Sequence, residues 1–149
     1  MELVRVMRIE VDVTEPLSTG TTPAGEIRVI PFAGGRFEGE GLSGHVLDGG
    51  TDWQRVRDDG ALEIRAHYML ETEEGERIEV VSEGLRIASP EVLERLARGE
   101  EVSPDDYYFR TFIRLATASD RLAHLNERLF VGVGVRRARQ VEIEVHRIP

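Results

Sequence analysis

The chain has neither cysteine nor lysine in its 149 residues. Without cysteine it can form no disulfide, offer no thiolate nucleophile and bind no metal through sulfur. Without lysine it can run no Schiff-base chemistry and build no phosphate loop of the Gly-Lys-Ser/Thr kind. All 19 basic residues are therefore arginine, set against 28 acidic ones, for a net charge of −9. The one tight basic cluster is Arg136, Arg137 and Arg139. It reads as a loop between two strands and is too small to hold a duplex, so no nucleic-acid partner is expected.

Other devices are also missing. No apolar stretch approaches the roughly 20 residues that cross a bilayer, so no membrane partner is expected. Met1 to Arg5 carries charge where a signal peptide needs an apolar run, and the expected location is the cytoplasm. No Gly-x-Ser-x-Gly elbow occurs. The four histidines, His45, His67, His124 and His146, show no i, i+2 or i, i+4 pairing, so no metal site is expected.

What remains is ordinary globular material, 40% hydrophobic and 32% charged, which suits one domain over residues 1–149. Period-two alternation dominates. Met7, Ile9, Val11 and Val13 share a face of a first strand with Leu3, and Arg5 is the exception. Pro16 to Thr22 reads as a loop, Glu26 to Phe32 as a second strand, and Gly34 to Gly44 as glycine turns around short strands. Leu42 to Leu47 follows, and Gly49 to Trp53 reads as another turn. The clearest strand is Ala61 to Thr72, with Leu62, Ile64, Ala66, Tyr68 and Leu70 on one face. Glu73-Glu74-Gly75 connects it to a hairpin partner, Arg77 to Ile87.

Ser89 caps and Pro90 opens a single short helix, Glu91 to Arg98, that Gly99 ends. Further strands run from Tyr107 to Ala116, Leu129 to Val135 and Gln140 to Ile148, with a helical turn or loop at Asp120 to Glu127. About eight to ten antiparallel strands must close or stack to hide their edges. A closed barrel with a ligand cavity and a two-sheet sandwich both satisfy that demand.

The turns carry a resemblance. Gly34-Gly35-x-Phe37-x-Gly39-x-Gly41-Leu42-x-Gly44-x-Val46-Leu47-x-Gly49-Gly50-x-Asp52-Trp53 is similar to the signature of the bacterial and fungal family called domain of unknown function 3237. Tyr68-x-Leu70-x-Thr72-x-x-Gly75, Tyr107 to Thr111, and Leu125-Asn126-x-x-Leu129-Phe130-Val131-x-x-Gly134 resemble its later blocks, in order. The resemblance implies an all-β fold: a single antiparallel lipocalin-like β-barrel, in a small homo-oligomer. The chain departs from the pattern at Leu115-Ala116-Thr117 (the family has Phe-Glu-Thr), at His124 (tryptophan) and at Arg86-Ile87-Ala88 (Arg-x-Gly). These departures point to a substrate of its own.

Candidate chemistry gathers in those blocks. Asp52 reads as a general base at a barrel mouth or as a turn cap, with Trp53 as an apolar wall or a core plug. Tyr68 lies on an apolar strand face and needs a partner for its hydroxyl. Arg110 is a carboxylate clamp if it points inward, with Phe109 and Thr111 beside it. Asn126 anchors a substrate oxygen or ties down its own loop. His124 sits beside Asn126 in the same block. The expected function is a cofactor-independent lyase, isomerase or cyclase step on an oxygenated organic acid or aromatic metabolite. In that reading Asp52, Tyr68 and His124 move protons, while Trp53, Phe109, Arg110, Thr111 and Asn126 hold the small-molecule ligand. A non-catalytic binding module and a structural, oligomerising barrel are the alternatives.

Overall fold

A computed structural model describes all residues, 1–149. Ten strands form one sheet: β1 (Val4–Val13), β2 (Leu17–Thr22), β3 (Gly25–Gly39), β4 (Leu42–Val46), β5 (Thr51–Val56), β6 (Leu62–Thr72), β7 (Arg77–Ile87), β8 (Tyr108–Thr117), β9 (Phe130–Arg136) and β10 (Gln140–Arg147). The one α-helix, α1 (Pro90–Ala97), lies between β7 and β8. Every strand pairing is antiparallel. β3 pairs with β1, which closes the sheet on itself, so the sandwich alternative does not hold. β4 and β5 each bridge β3 and β6, at different heights, and so share one position in a ring of eight.

Closure turns alternation into an inside and an outside. Leu62, Ile64, Ala66, Tyr68 and Leu70 of β6 all face in and are buried, as do Phe109, Thr111, Ile113 and Leu115 of β8. Met7, Ile9 and Val11 do the same in β1. A register shift between Arg5 and Met7 explains why Arg5 breaks the pattern. Gly134 lies under the Phe109 ring: a Cβ there would collide with the ring, so only glycine lets Phe109 lie flat against β9.

Three local expectations change. Pro16 to Thr22 is not a loop, because Leu17–Thr22 pairs with the first half of β3 as an exposed ribbon outside the ring. Both its faces meet solvent, so no alternation marked it. Gly34 and Gly35 are not turn residues but lie inside the 15-residue β3. There the strand bends past β1, and a side chain at Gly35 would collide with the Glu10 carbonyl. Asp52 and Trp53 belong to β5 and not to a turn. The helix begins at Pro90 and ends at Ala97, one residue ahead of the expected bounds at each end, and the Ser89 hydroxyl accepts from the Val92 N–H at 3.2 Å.

The two barrel ends differ. At the β6–β7 turn end, a 3₁₀ segment, Ala123–Glu127, folds under the barrel, with Leu122 and Leu125 buried in the core. Arg121 ties this cap down: its guanidinium donates to the Gly41 carbonyl at 2.6 Å and to Glu76. The Arg121 and Ser119 hydrogen bonds hold the Glu76 carboxyl down at about 2. At the other end, α1 covers only part of the opening. No helix is long and apolar enough to cross a membrane. Leu125→Ala removes a side chain that is 1% exposed, and is expected to cost about 2–5 kcal/mol, measured as a fall in the urea unfolding midpoint.

Candidate functional site

Polar side chains occupy the inward face near the open end, where an apolar plug would be cheaper. In β5, Asp52 and Gln54 are two apart and both face in. Gln54 Nε2 donates to Asp52 Oδ2 at 2.8 Å, and Arg28 donates to Gln54 Oε1 at 2.7 Å. Asp52 Oδ1 is fully enclosed and has no hydrogen-bond partner. The same holds for Arg28 Nε, Arg86 Nε and Thr111 Oγ1. Native proteins leave few buried polar atoms unpaired, so four in one region are open to water or to a bound molecule.

The space they surround has two parts. An inner cavity of ≈ 40 Å³ is bounded by Asp52, Tyr68, Ser82, Phe109 and Thr111, among others. A vestibule of ≈ 810 Å³ lies between the strand ends and α1. Gln54, Arg86, Arg136, Val13 and Ile30 line both. Tyr68 is held edge-on to Phe32, with ring centroids 5.3 Å apart. Gly50 permits this pairing, since a Cβ there would run into both residues.

The electrostatics follow from enclosure. Burial raises the Asp52 carboxyl to about 6, and the Gln54 hydrogen bond, the Arg86 charge, the Arg65 backbone N–H and the Arg28 charge hold it from rising further. Burial, then the Asp52 charge, push the Tyr68 phenol above its usual range, so it stays protonated. Burial, then the Arg136 and Arg28 charges, bring Arg86 down to about 10, still charged at neutral pH. Its guanidinium also lies 5.9 Å from the centre of the Phe109 ring.

Of the residues singled out in the sequence, Asp52, Tyr68, Phe109 and Thr111 meet in this lumen. Four others do not. Trp53 is adjacent to Asp52 on a strand and so points outward, 51% exposed. It lies in a groove of ≈ 960 Å³ on the outer wall, beside Arg65 and Phe112. Arg110 alternates with Phe109 and is outside for the same reason, stacked 5.5 Å from the Tyr108 ring. It cannot clamp a ligand in the lumen. Asn126 ties its own loop, accepting from the Thr117 N–H at 2.8 Å and donating to the Thr117 carbonyl at 2.9 Å. His124 is exposed on the 3₁₀ cap at the closed end, remote from the lumen.

Arg28, Gln54, Arg86 and Arg136 were not anticipated. Arg136, which reads as a loop residue in the sequence, ends β9. A signal was present. Arg86 continues the inward series Ile78, Val80, Ser82 of β7, and Arg28 precedes inward Ile30 by two. An arginine on the apolar face of a strand is the pattern to look for.

A family model described as a protein of unknown function (DUF3237) matches residues 1–148. A UPF0311 protein of Rhodopseudomonas palustris is 38% identical over 148 residues, which is 99% of this chain and 97% of the relative. One from Clostridium acetobutylicum is 32% identical over 149 residues, 99% of this chain and 94% of the relative. Among solved structures, a conserved protein of unknown function from R. palustris superposes with a TM-score of 0.94 at 38% identity, covering 99% of this chain and 97% of its own. A β-barrel-like protein from Acinetobacter baumannii gives 0.86 at 35% identity, covering 99% and 96%. A structure described as an enzyme from Penicillium herquei shares the fold, with a TM-score of 0.71 at 17% identity, covering 97% and 93%.

The Asp52 environment has a pH signature. Below about pH 4 the carboxyl is protonated in both folded and unfolded chains and costs nothing. As pH rises toward 6, the unfolded chain ionises first, because the folded pKa is about 6. Stability is therefore lost over that window and levels off above it. Asp52→Asn lacks the titration. Its stability relative to the parent is expected to rise by about 2–3 kcal/mol between pH 4 and pH 7, in urea unfolding at each pH.

Proposed function

Because the chain belongs to the DUF3237 family of proteins of unknown function, its chemistry has to come from the lumen itself, and we propose that it is a cofactor-independent acid–base enzyme acting on a small oxygenated molecule. One observation carries this reading. A carboxylate with a raised pKa of about 6 and a free, enclosed oxygen shares a cavity with a phenol that stays protonated. A general base works best with a pKa near the working pH. Asp52 Oδ1 takes a proton from a C–H or O–H of the bound molecule. Tyr68 donates a hydrogen bond to the oxygen on which charge develops. Asp52 then returns the proton at another atom. The net change is an isomerisation, an elimination or a ring closure, with no oxidant or reductant consumed.

The supporting shell fits that division of labour. Gln54 holds Oδ2 and leaves Oδ1 free. Phe32 and Phe109 keep the cavity apolar around the reacting groups, which strengthens every charge interaction within it. The Arg28–Gln54–Asp52 chain fixes the carboxylate plane, so the base is oriented before anything binds.

The test is a thermal-shift screen against hydroxy acids, phenols and polyketide-like compounds, with each stabilising compound incubated and checked by mass spectrometry and retention time. A hit that is converted, with or without a change of mass, supports the enzyme. Hits that all remain unchanged would make this a binding module. With a converted substrate, Tyr68→Phe is expected to lower turnover on the order of a hundredfold while the far-UV spectrum is retained. Asp52→Asn should abolish turnover, and the parent's rate should fall on the acidic side of pH 6, where the carboxyl becomes protonated.

A further inference from the structure

Three arginines converge on the inner end of the vestibule from three separate strands: Arg28 of β3, Arg86 of β7 and Arg136 of β9. None of them forms a salt bridge, although the chain as a whole carries 28 acidic residues. Arg86 is 9% exposed, and its Nε is enclosed without a partner. Arg28 Nε is likewise enclosed and unpartnered. Their only enclosed counter-charge is Asp52. Glu15 and Glu26 stand farther out, along with Arg98 and Arg139, and Glu26 is engaged by the Ser18 hydroxyl at 2.6 Å. Burying like charges together is costly unless something neutralises them. Here the three cations disfavour one another, and within the chain only Asp52, with Glu15 farther out, offsets them.

We propose that Arg28, Arg86 and Arg136 form an anion site that receives the carboxylates of a small organic acid bearing more than one negative charge. The ligand's less polar end then points inward, toward the ≈ 40 Å³ cavity that Asp52 and Tyr68 bound. The guanidinium fork matches the planar carboxylate bidentately. A phosphate fits less well, since no helix N-terminus or run of backbone N–H groups faces the vestibule; α1 presents its C-terminal residues there, Leu96 to Gly99. The volume of ≈ 810 Å³ suits a metabolite and is far too small for a folded partner. The site also gives direction. An acid anchored at the inner end of the vestibule turns its other end, and not its carboxylate, toward the proton-transfer groups.

The site rests on the lumen being a ligand site, as in the acid–base reading, but requires no turnover. It is tested by binding alone. Phthalate, benzoate and benzamide share one ring and differ in charge. Calorimetric titration at constant ionic strength is expected to rank them in that order, with benzamide weakest and inorganic phosphate below phthalate. Arg86→Gln, Arg28→Gln and Arg136→Gln should each weaken phthalate binding by about thirtyfold or more. Arg139→Gln, out at the rim, should change it little. Asp52→Asn should leave phthalate binding intact or tighten it, because an enclosed like charge is removed; the same variant abolishes proton transfer, so the two readings fail separately. Equal binding of benzamide and phthalate would overturn the proposal. So would three folded arginine variants with parental affinity, or no carboxylate binding at millimolar concentration. Phosphate binding more tightly than phthalate would replace the carboxylate with a phosphate ester as the ligand class.

Discussion

Everything in this molecule depends on the pairing of β1 with β3, because that is the seam where the sheet closes. A sheet left open there would expose a row of unpaired backbone groups and would have two equivalent faces. Closure gives each strand an inner side, and a single-residue slip anywhere would exchange lumen and surface. The seam runs from Met7–Gly39 to Val13–Phe32 and shifts register between Val11 and Val13. At that shift β3 leaves β1 and begins its pairing with β2, so the long strand serves both the ring and the outer ribbon.

Within that ring the two ends divide the work of stability and of function. The closed end is apolar and ionically latched. Leu122 and Leu125 fill it, while Glu76, Ser119 and Arg121 satisfy one another at its edge. The open end inverts this. Its buried polar atoms are only partly satisfied, its cations are uncompensated, and its carboxyl is held well above the usual range by burial. Such an arrangement adds little to folding and is costly in isolation. It is coherent as a preorganised receptor, in which donors and a base are set before the ligand arrives.

The local charge also runs against the global one. A chain of net charge −9 repels organic anions at long range, yet it presents three inward arginines at the one opening. Screening in physiological salt confines the repulsion to about 8 Å, so a ligand at the mouth meets the arginines and not the average surface. In the proposed anion site, selectivity is set by the arginines and the apolar lumen together.

Much of the fold was legible because period-two alternation survives folding unchanged: the inward residues of β6 and β8 are those that the pattern marks. The spaced glycine blocks pointed to a barrel for a related reason, since glycines such as Gly134 stand where backbone meets a neighbouring ring. For Tyr68, sequence showed only a phenol on an apolar strand face, and Asp52 read as the end of a glycine turn. What the sequence alone determined is therefore which face of each strand is apolar, because that depends on neighbours two residues apart. What tertiary structure decided is which faces look at one another. Asp52 and Tyr68 share a cavity, His124 and Asn126 lie at the far end, and three arginines from strands distant in sequence converge, because closure and register join residues that no local spacing relates.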